Sequence, residues 1–286
     1  MSTFTTRRQR LRELLAGNRC IHPASVHDPM AARIAADLGF ELGMLAGSVA
    51  SLAVLGAPDI ILLTLSEFAE QARRIGRAAN LPLLCDADHG YGNALNVMRT
   101  TEELEVAGVA GFSIEDTVLP QAHGAGGKAM LTSVEEGVGK MKAALRARVD
   151  RDLVIAGRTS APSITGIDDA IRRATAYQAT GVDAIFLVGV RTRAELDAVA
   201  ADIRLPMILG GAGAELMDPE YLTSRGVRVC LQGHQPFAAA VQAVYSTLQA
   251  LRAGTPPAKL EGVAPDALMK KLMRVDDYGA LVRELL

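Results

Sequence analysis

Eight short apolar runs, each followed by turn residues and an amphipathic helical pattern, limit what this chain can fold into. The runs are Ile21–Val26, Glu41–Leu45, Leu81–Cys85, Gly111–Ile114, Leu153–Ala156, Asp183–Val188, Pro206–Leu209 and Val227–Leu231. Most are continuous in Val, Ile and Leu, as parallel strands covered on both faces require. Helices are predicted between them. Thr64…Glu67, Ser133…Glu136 and Thr192…Glu195 have capping-box spacing. Asn93 suits an N-cap, and Gly108 and Gly181 suit the positions just past a helix end. Strand–helix alternation predicts an α/β fold with a parallel sheet. Eight units in 286 residues predict a closed (β/α)8 TIM barrel. The expected organisation is one domain, 1–286, with the barrel over about 12–253 and a helical tail over 258–286. No linker-like stretch precedes Gly254-Thr255-Pro256-Pro257. The helices read in Ala264–Leu286 fall outside the barrel count and are expected to dock on a neighbouring subunit.

Composition narrows the function. A net charge of −2 gives no reason to bind nucleic acid or an anionic membrane. Six Phe, five Tyr and no Trp leave little for base stacking. The N-terminus to Arg12 is polar and basic without the apolar core of a secretory signal. Leu42–Pro58 is uncharged, but it is shorter than the ~20 residues that span a bilayer. It is read as a buried strand plus loop. Cys20, Cys85 and Cys230 are far apart and form no CxxC pair, so they are read as buried, reduced thiols in a cytoplasmic protein.

The chemistry concentrates where the runs stop. Leu83-Leu84-Cys85-Asp86-Ala87-Asp88-His89-Gly90-Tyr91-Gly92-Asn93 passes from strand to two carboxylates at i, i+2 and then a glycine-rich turn. That spacing puts both carboxylates on one strand face, at the end where parallel α/β folds hold their sites. Ser48 follows the second run, Glu115 and Asp116 end the fourth, Arg158 the fifth and His234 the eighth. Carboxylates converging there repel one another unless a cation lies among them. Mg²⁺, or Mn²⁺, needs only one or two protein carboxylates beside its waters. Asp86 is the expected direct ligand, with Asp88, Glu115 and Asp59 acting through water. A metal beside Arg158 suits a small 2-oxo acid, its carboxylate clamped by the guanidinium. His234 would hold a second carboxylate. Ser48, in a Gly-Ser turn, would add its hydroxyl and backbone N–H groups. Val118–Leu131 is long and glycine-rich and is read as a mobile lid over this site.

Gly47-Ser48-Val49, Asp86-Ala87-Asp88-His89-Gly90-Tyr91-Gly92, Ile114-Glu115-Asp116 and Gly157-Arg158-Thr159 together resemble the phosphoenolpyruvate mutase/isocitrate lyase superfamily. The likeness runs from about Arg12 to Ala250. Ser25-Val26-His27-Asp28-Pro29-Met30, the run Asn93–Thr100 and Gly233-His234 are most similar to its oxaloacetate decarboxylase branch. The resemblance implies a Mg²⁺-dependent barrel enzyme, a homotetramer with its eighth helix swapped between neighbours. It also implies that Asp86 binds Mg²⁺ and that Ser48, Arg158 and His234 bind substrate.

Two stretches depart from the relatives' pattern. Val118–Leu131 lacks the catalytic cysteine of the superfamily's lyases, which argues against isocitrate or methylisocitrate cleavage. Arg158-Thr159-Ser160-Ala161-Pro162 stands where the branch reads Arg-Thr-Asn-Ala-Glu, and Leu209-Gly210-Gly211-Ala212-Gly213 is unusually small and glycine-rich. The expected reaction is decarboxylation of oxaloacetate to pyruvate and CO₂ through a metal-stabilised enolate, with Arg158 and His234 as the residues that act on substrate. The alternatives are other C–C or P–C chemistry on a 2-oxo acid of the phosphonopyruvate type, and a barrel that binds a dicarboxylate without turnover.

Overall fold

The computed structural model describes residues 3–121, 123–124 and 126–286. Eight parallel strands follow one another in chain order around a curled sheet. They are β1 Ala24–Ser25, β2 Gly43–Leu45, β3 Leu83–Asp86, β4 Gly111–Glu115, β5 Val154–Thr159, β6 Ala184–Leu187, β7 Met207–Leu209 and β8 Val227–Cys230. A parallel bridge between Ile21 and Val229 joins the last strand to the chain entering the first. The Ile21 N–H donates to the Arg228 carbonyl, and the Cys230 N–H to the Ile21 carbonyl, each at 2.9 Å. The sheet is therefore a closed barrel, as the eightfold alternation predicts. Each strand lies within or overlaps its expected run, because a buried parallel strand must be apolar on both faces.

The strand period of two divides the apolar residues into two cores. Leu42, Met44, Leu84, Val154, Ala156, Ala184, Phe186, Ile208 and Val229 fill the barrel. Alternate residues such as Cys85, Phe112, Ile114, Ile155, Ile185 and Leu209 pack outward on the helices. The helix Thr3–Ala16, which sequence reading missed, sends Leu11 and Leu15 into the inner core. Its arginines bind main-chain carbonyls around the N-terminal ends of the strands. Arg8 Nε donates to Val109 O at 3.1 Å, and Arg12 Nε to Asp152 O at 3.0 Å. A charged segment that reads as surface thus buries its long side-chain stems and seals the barrel floor.

Helix ends follow the sequence signals. Reciprocal capping boxes form at Thr64/Glu67 and Thr192/Glu195. Ser133 accepts from the Glu136 N–H at 3.1 Å. Asn93 caps Ala94–Ala107 with Asn96, rather than Glu, as its partner, and Gly108 is left-handed at that helix's end. One reading needs correction. Gly47–Leu55, taken as loop, is a helix, so Ser48 sits in a first helical turn and not in a free turn. Its Val, Ala and Leu run, interrupted only by Ser51, has no Gly or Pro before Gly56. Cys85 and Cys230 are buried, whereas Cys20 is only half-buried, and all three are unpaired thiols.

The segment after β4 is irregular. Thr117 and Leu131 pair as an antiparallel bridge at its base, and the Val118 N–H donates to Met130 O at 2.8 Å. Ala122 and Ala125, within the expected lid, lie outside the described residues. The chain divides into two compact units, one reaching to Gly233 and one from His234 to Leu286. All eight strands belong to the first. The second holds the long helix Gln235–Arg252 and the helices Asp266–Met273 and Val275–Leu285. Among the described helices, none is long and apolar enough to cross a membrane.

Candidate active site

The same alternation that fills the barrel puts polar side chains at its C-terminal mouth. On β3, Leu84 faces inward and so does Asp86. On β5, Val154 and Ala156 face inward and so does Arg158. On β4, Ser113 and Glu115 share the inward face, in register with Asp86 and Arg158 respectively. Arg158 Nη1 donates to Asp86 Oδ2, and Nη2 pairs with Glu115 Oε2 at 3.1 Å. Ser113 Oγ donates to Asp86 Oδ1 at 3.2 Å. The guanidinium carbon lies 5.4 Å from the centre of the Phe186 ring, the inward residue next in register on β6. Arg158 Nε–H is buried and has no acceptor among the described residues.

Asp88 reaches the mouth by a strained route. Asp88 and Tyr91 have φ of 48° and 60°, a left-handed conformation costly for residues with a Cβ. Groups around the turn hold it. Its carbonyl at Asp88 accepts from the Glu115 N–H at 2.8 Å, and that at Gly90 from Thr100 Oγ1 at 2.9 Å. Gly47 lies against the Asp88 carboxylate: a Cβ there would stand 2.6 Å from Oδ1. The glycine before Ser48 is therefore a cradle for Asp88. The Tyr91 hydroxyl is buried without a hydrogen-bond partner among the described residues.

The electrostatics are those of an under-neutralised acid cluster. Burial pushes the Asp88 carboxyl well above its ordinary range, and the charges of Asp86, Glu115 and Asp59 push it further. Burial also raises Glu115, although the Arg158 guanidinium opposes this. Burial disfavours the Arg158 cation, but Asp86 and Glu115 outweigh that and hold the proton more firmly than usual. Tyr91 is raised by burial and then by Asp88 and Asp86, so it stays a neutral phenol. Among the described residues, no three carboxylate, imidazole or thiol groups converge as a closed metal shell. Mg²⁺ does not require one, since it keeps several waters. Three carboxylates, Asp86, Asp88 and Glu115, share one guanidinium here, a charge balance that a hydrated divalent cation fits. The residues present therefore suit Mg²⁺ bound largely through water.

The structure thus brings Asp86, Asp88, Glu115 and Arg158 together, with Asp59 close enough to act on Asp88 through its charge. Asp59 is exposed, on a loop whose Ala57 and Pro58 carbonyls accept from Ser51 Oγ at 3.2 Å. Ser48 is in the first turn of Gly47–Leu55, whose N-cap, Ala46, supplies no side-chain bond to the free N–H groups. His234 is the N-cap residue of Gln235–Arg252 and opens the second unit, so the first unit assembles its cluster without it. Asp116 turns outward, where Oδ2 accepts from Arg173 Nη1 at 3.0 Å and from Tyr177 Oη at 2.6 Å. Sequence reading missed Ser113, Gly47 and Tyr91. The strand period counted back from Glu115 singles out Ser113; Gly47 and Tyr91 stand inside the motifs quoted above, which mark their positions but not their roles.

Comparison with known proteins places this site among relatives. A family profile described as phosphoenolpyruvate phosphomutase matches residues 11–252. A protein of Bradyrhizobium diazoefficiens named oxaloacetate decarboxylase is 62% identical over 271 residues, covering 95% of this chain and 94% of its own. One of the same name from Rhodopseudomonas palustris is 57% identical over 282 residues, covering 99% and 96%. Among solved structures, phosphoenolpyruvate phosphomutase from Streptomyces platensis superposes with a TM-score of 0.87 at 29% identity, covering 97% of this chain and 99% of that one. A phosphonopyruvate hydrolase in complex with oxalate and Mg²⁺ superposes with a TM-score of 0.86 at 27% identity, covering 98% and 99%.

Proposed function

Because the chain belongs to the phosphoenolpyruvate phosphomutase family, we propose that it is a Mg²⁺-dependent carboxy-lyase that converts oxaloacetate to pyruvate and CO₂. The observation that carries this reading is the buried cluster Asp86, Asp88, Glu115 and Arg158 in a chain 62% identical to a protein named for that reaction. Asp86 would hold the metal directly, and Asp88, Glu115 and Asp59 would hold its waters. The superposable hydrolase carrying oxalate and Mg²⁺ supports this choice of cation. When bound, Mg²⁺ supplies Lewis-acid stabilisation of the negative charge that develops as the C3–C4 bond breaks.

The chain's own groups position the substrate. Arg158, stacked on Phe186 and with its Nε–H unspent, orients the C1 carboxylate. Ser48 and the uncapped N–H groups of its helix offer further donors to a carboxylate. His234 would hold the C4 carboxylate until it leaves. The protein works in the cytoplasm as a homotetramer with the eighth helix exchanged. That arrangement is supported by Gln235–Arg252, which buries none of its residues within the chain and exposes Val241, Val244, Tyr245 and Leu248.

The test is a panel of 2-oxo acids with and without Mg²⁺. Oxaloacetate is expected to be consumed, EDTA to abolish the rate and phosphonopyruvate to be left intact. A rate untouched by EDTA, or turnover of phosphonopyruvate alone, defeats the reading. Mg²⁺-dependent oxalate binding without turnover of any 2-oxo acid would make the protein a binding barrel.

A further inference from the structure

One buried cation near the acid cluster has no part in the chemistry above. Lys140 lies on the helix Val134–Ala147, which packs outside β4 and β5, and its side chain is 3% exposed. Its Nζ donates to the main-chain carbonyl of His89 at 3.1 Å. The nearest carboxylate paired with it, Glu136 Oε1, is 3.9 Å away on a side chain 52% exposed to solvent. Burying an ammonium without a close buried counter-ion costs several kcal/mol. Packing alone gives no reason to accept that cost, since Met would fill the same space.

The position of His89 supplies a reason. It lies between Asp88 and the two glycines of the acidic turn, in the stretch where Asp88, Gly90, Tyr91 and Gly92 all have positive φ. Three successive carbonyls of that stretch are caught from outside it. Asp88 O takes the Glu115 N–H, His89 O takes Lys140 and Gly90 O takes Thr100. Only the middle donor carries a charge. Its charge is also felt at Glu115 and Asp116, which favour the ammonium form against the burial that disfavours it. Asp86, Asp88 and Glu115 crowd one guanidinium, and Lys140 brings a second buried positive charge to the turn that carries Asp88.

We propose that Lys140 is a positioning residue for the metal site, fixing the acidic turn through the His89 carbonyl and placing a buried positive charge behind the carboxylates. This rests on the metal-site reading under Proposed function but not on the identity of the substrate.

The test is calorimetric titration of the full-length protein with Mg²⁺ alone, no substrate present, for wild type, Lys140→Met and Lys140→Arg, with thermal unfolding of each metal-free protein alongside. Lys140→Met is expected to weaken Mg²⁺ binding by about tenfold, the low end for loss of an outer-shell partner. Its metal-free Tm should be no lower than wild type, because an apolar side chain replaces a buried charge. Lys140→Arg should keep more of the affinity than Lys140→Met. Unchanged affinity in Lys140→Met overturns the proposal. So does a loss of affinity matched by a lowered Tm and shared equally by Arg and Met, which would mark a structural role. Wild type that binds no Mg²⁺ overturns both this and the metal site. Wild type that binds Mg²⁺ but spares oxaloacetate defeats only the proposed reaction.

Discussion

Glu115 and Asp116 are neighbours in the chain, yet they end on opposite faces of β4 and join two charged clusters built on opposite rules. Inside, Glu115, Asp86 and Asp88 crowd one guanidinium, and burial pushes Asp88 and Glu115 above their ordinary range. Outside, Asp116 and Asp169 meet Arg173, Tyr177 and Arg172. Burial acts on Asp169 too, but bonds from Arg173, Thr165 and Arg172 outweigh it and hold the carboxyl well below its usual range. The outer cluster also ties the base of the segment after β4: Arg173 Nη1 donates to Thr132 O at 2.9 Å and the Thr132 N–H to Asp116 O at 2.7 Å. Charge left unbalanced in a barrel mouth marks a place for a ligand; charge balanced in the helical shell marks scaffold.

The largest effect expected to sharpen this contrast is on the inner face. Asp86→Asn should lower the rate of oxaloacetate decarboxylation by about 10³-fold, the ~4 kcal/mol that a Lewis-acidic cation can supply, with little change in urea stability. A full rate in that variant breaks the assignment. On the outer face the pattern should reverse. Asp116→Leu leaves Arg173 short of a buried partner and should cost about 3 kcal/mol in urea unfolding, while Mg²⁺ affinity stays near wild type.

The smallest effect is one of sign. A carboxyl raised in the fold stabilises below its unfolded pKa and loses that contribution as pH rises through its folded value. A carboxyl lowered in the fold stabilises above its unfolded pKa and loses that contribution as pH falls through its folded value. Without Mg²⁺, the Tm of Asp88→Asn should therefore exceed wild type increasingly between pH 4 and pH 8, by about 2–4 °C at the upper end. An advantage that does not grow with pH would place Asp88 with the scaffold carboxylates.

The barrel was legible because its strands are written as apolar runs and its helices start at marked caps. The acidic turn was legible because two carboxylates at i, i+2 after such a run must share a face. What escaped was burial of charge. Arg8 and Arg12 fall in a stretch that reads only as polar and basic, although their guanidinium groups cap carbonyls at the barrel floor. Lys140 belongs to none of the motifs that the sequence offers. Arg158 reads as a substrate clamp, whereas without ligand its charge is spent on Asp86 and Glu115. In each case these partners lie 43 (Arg158 to Glu115) to 140 (Arg12 to Asp152) residues away in the chain, and no local pattern encodes them.

The sealed floor has a consequence for traffic. With Leu11 and Leu15 filling the lumen from below, the barrel is a cup with a single opening and not a pipe. In the proposed reaction, oxaloacetate must enter, and CO₂ and pyruvate must leave, through one doorway.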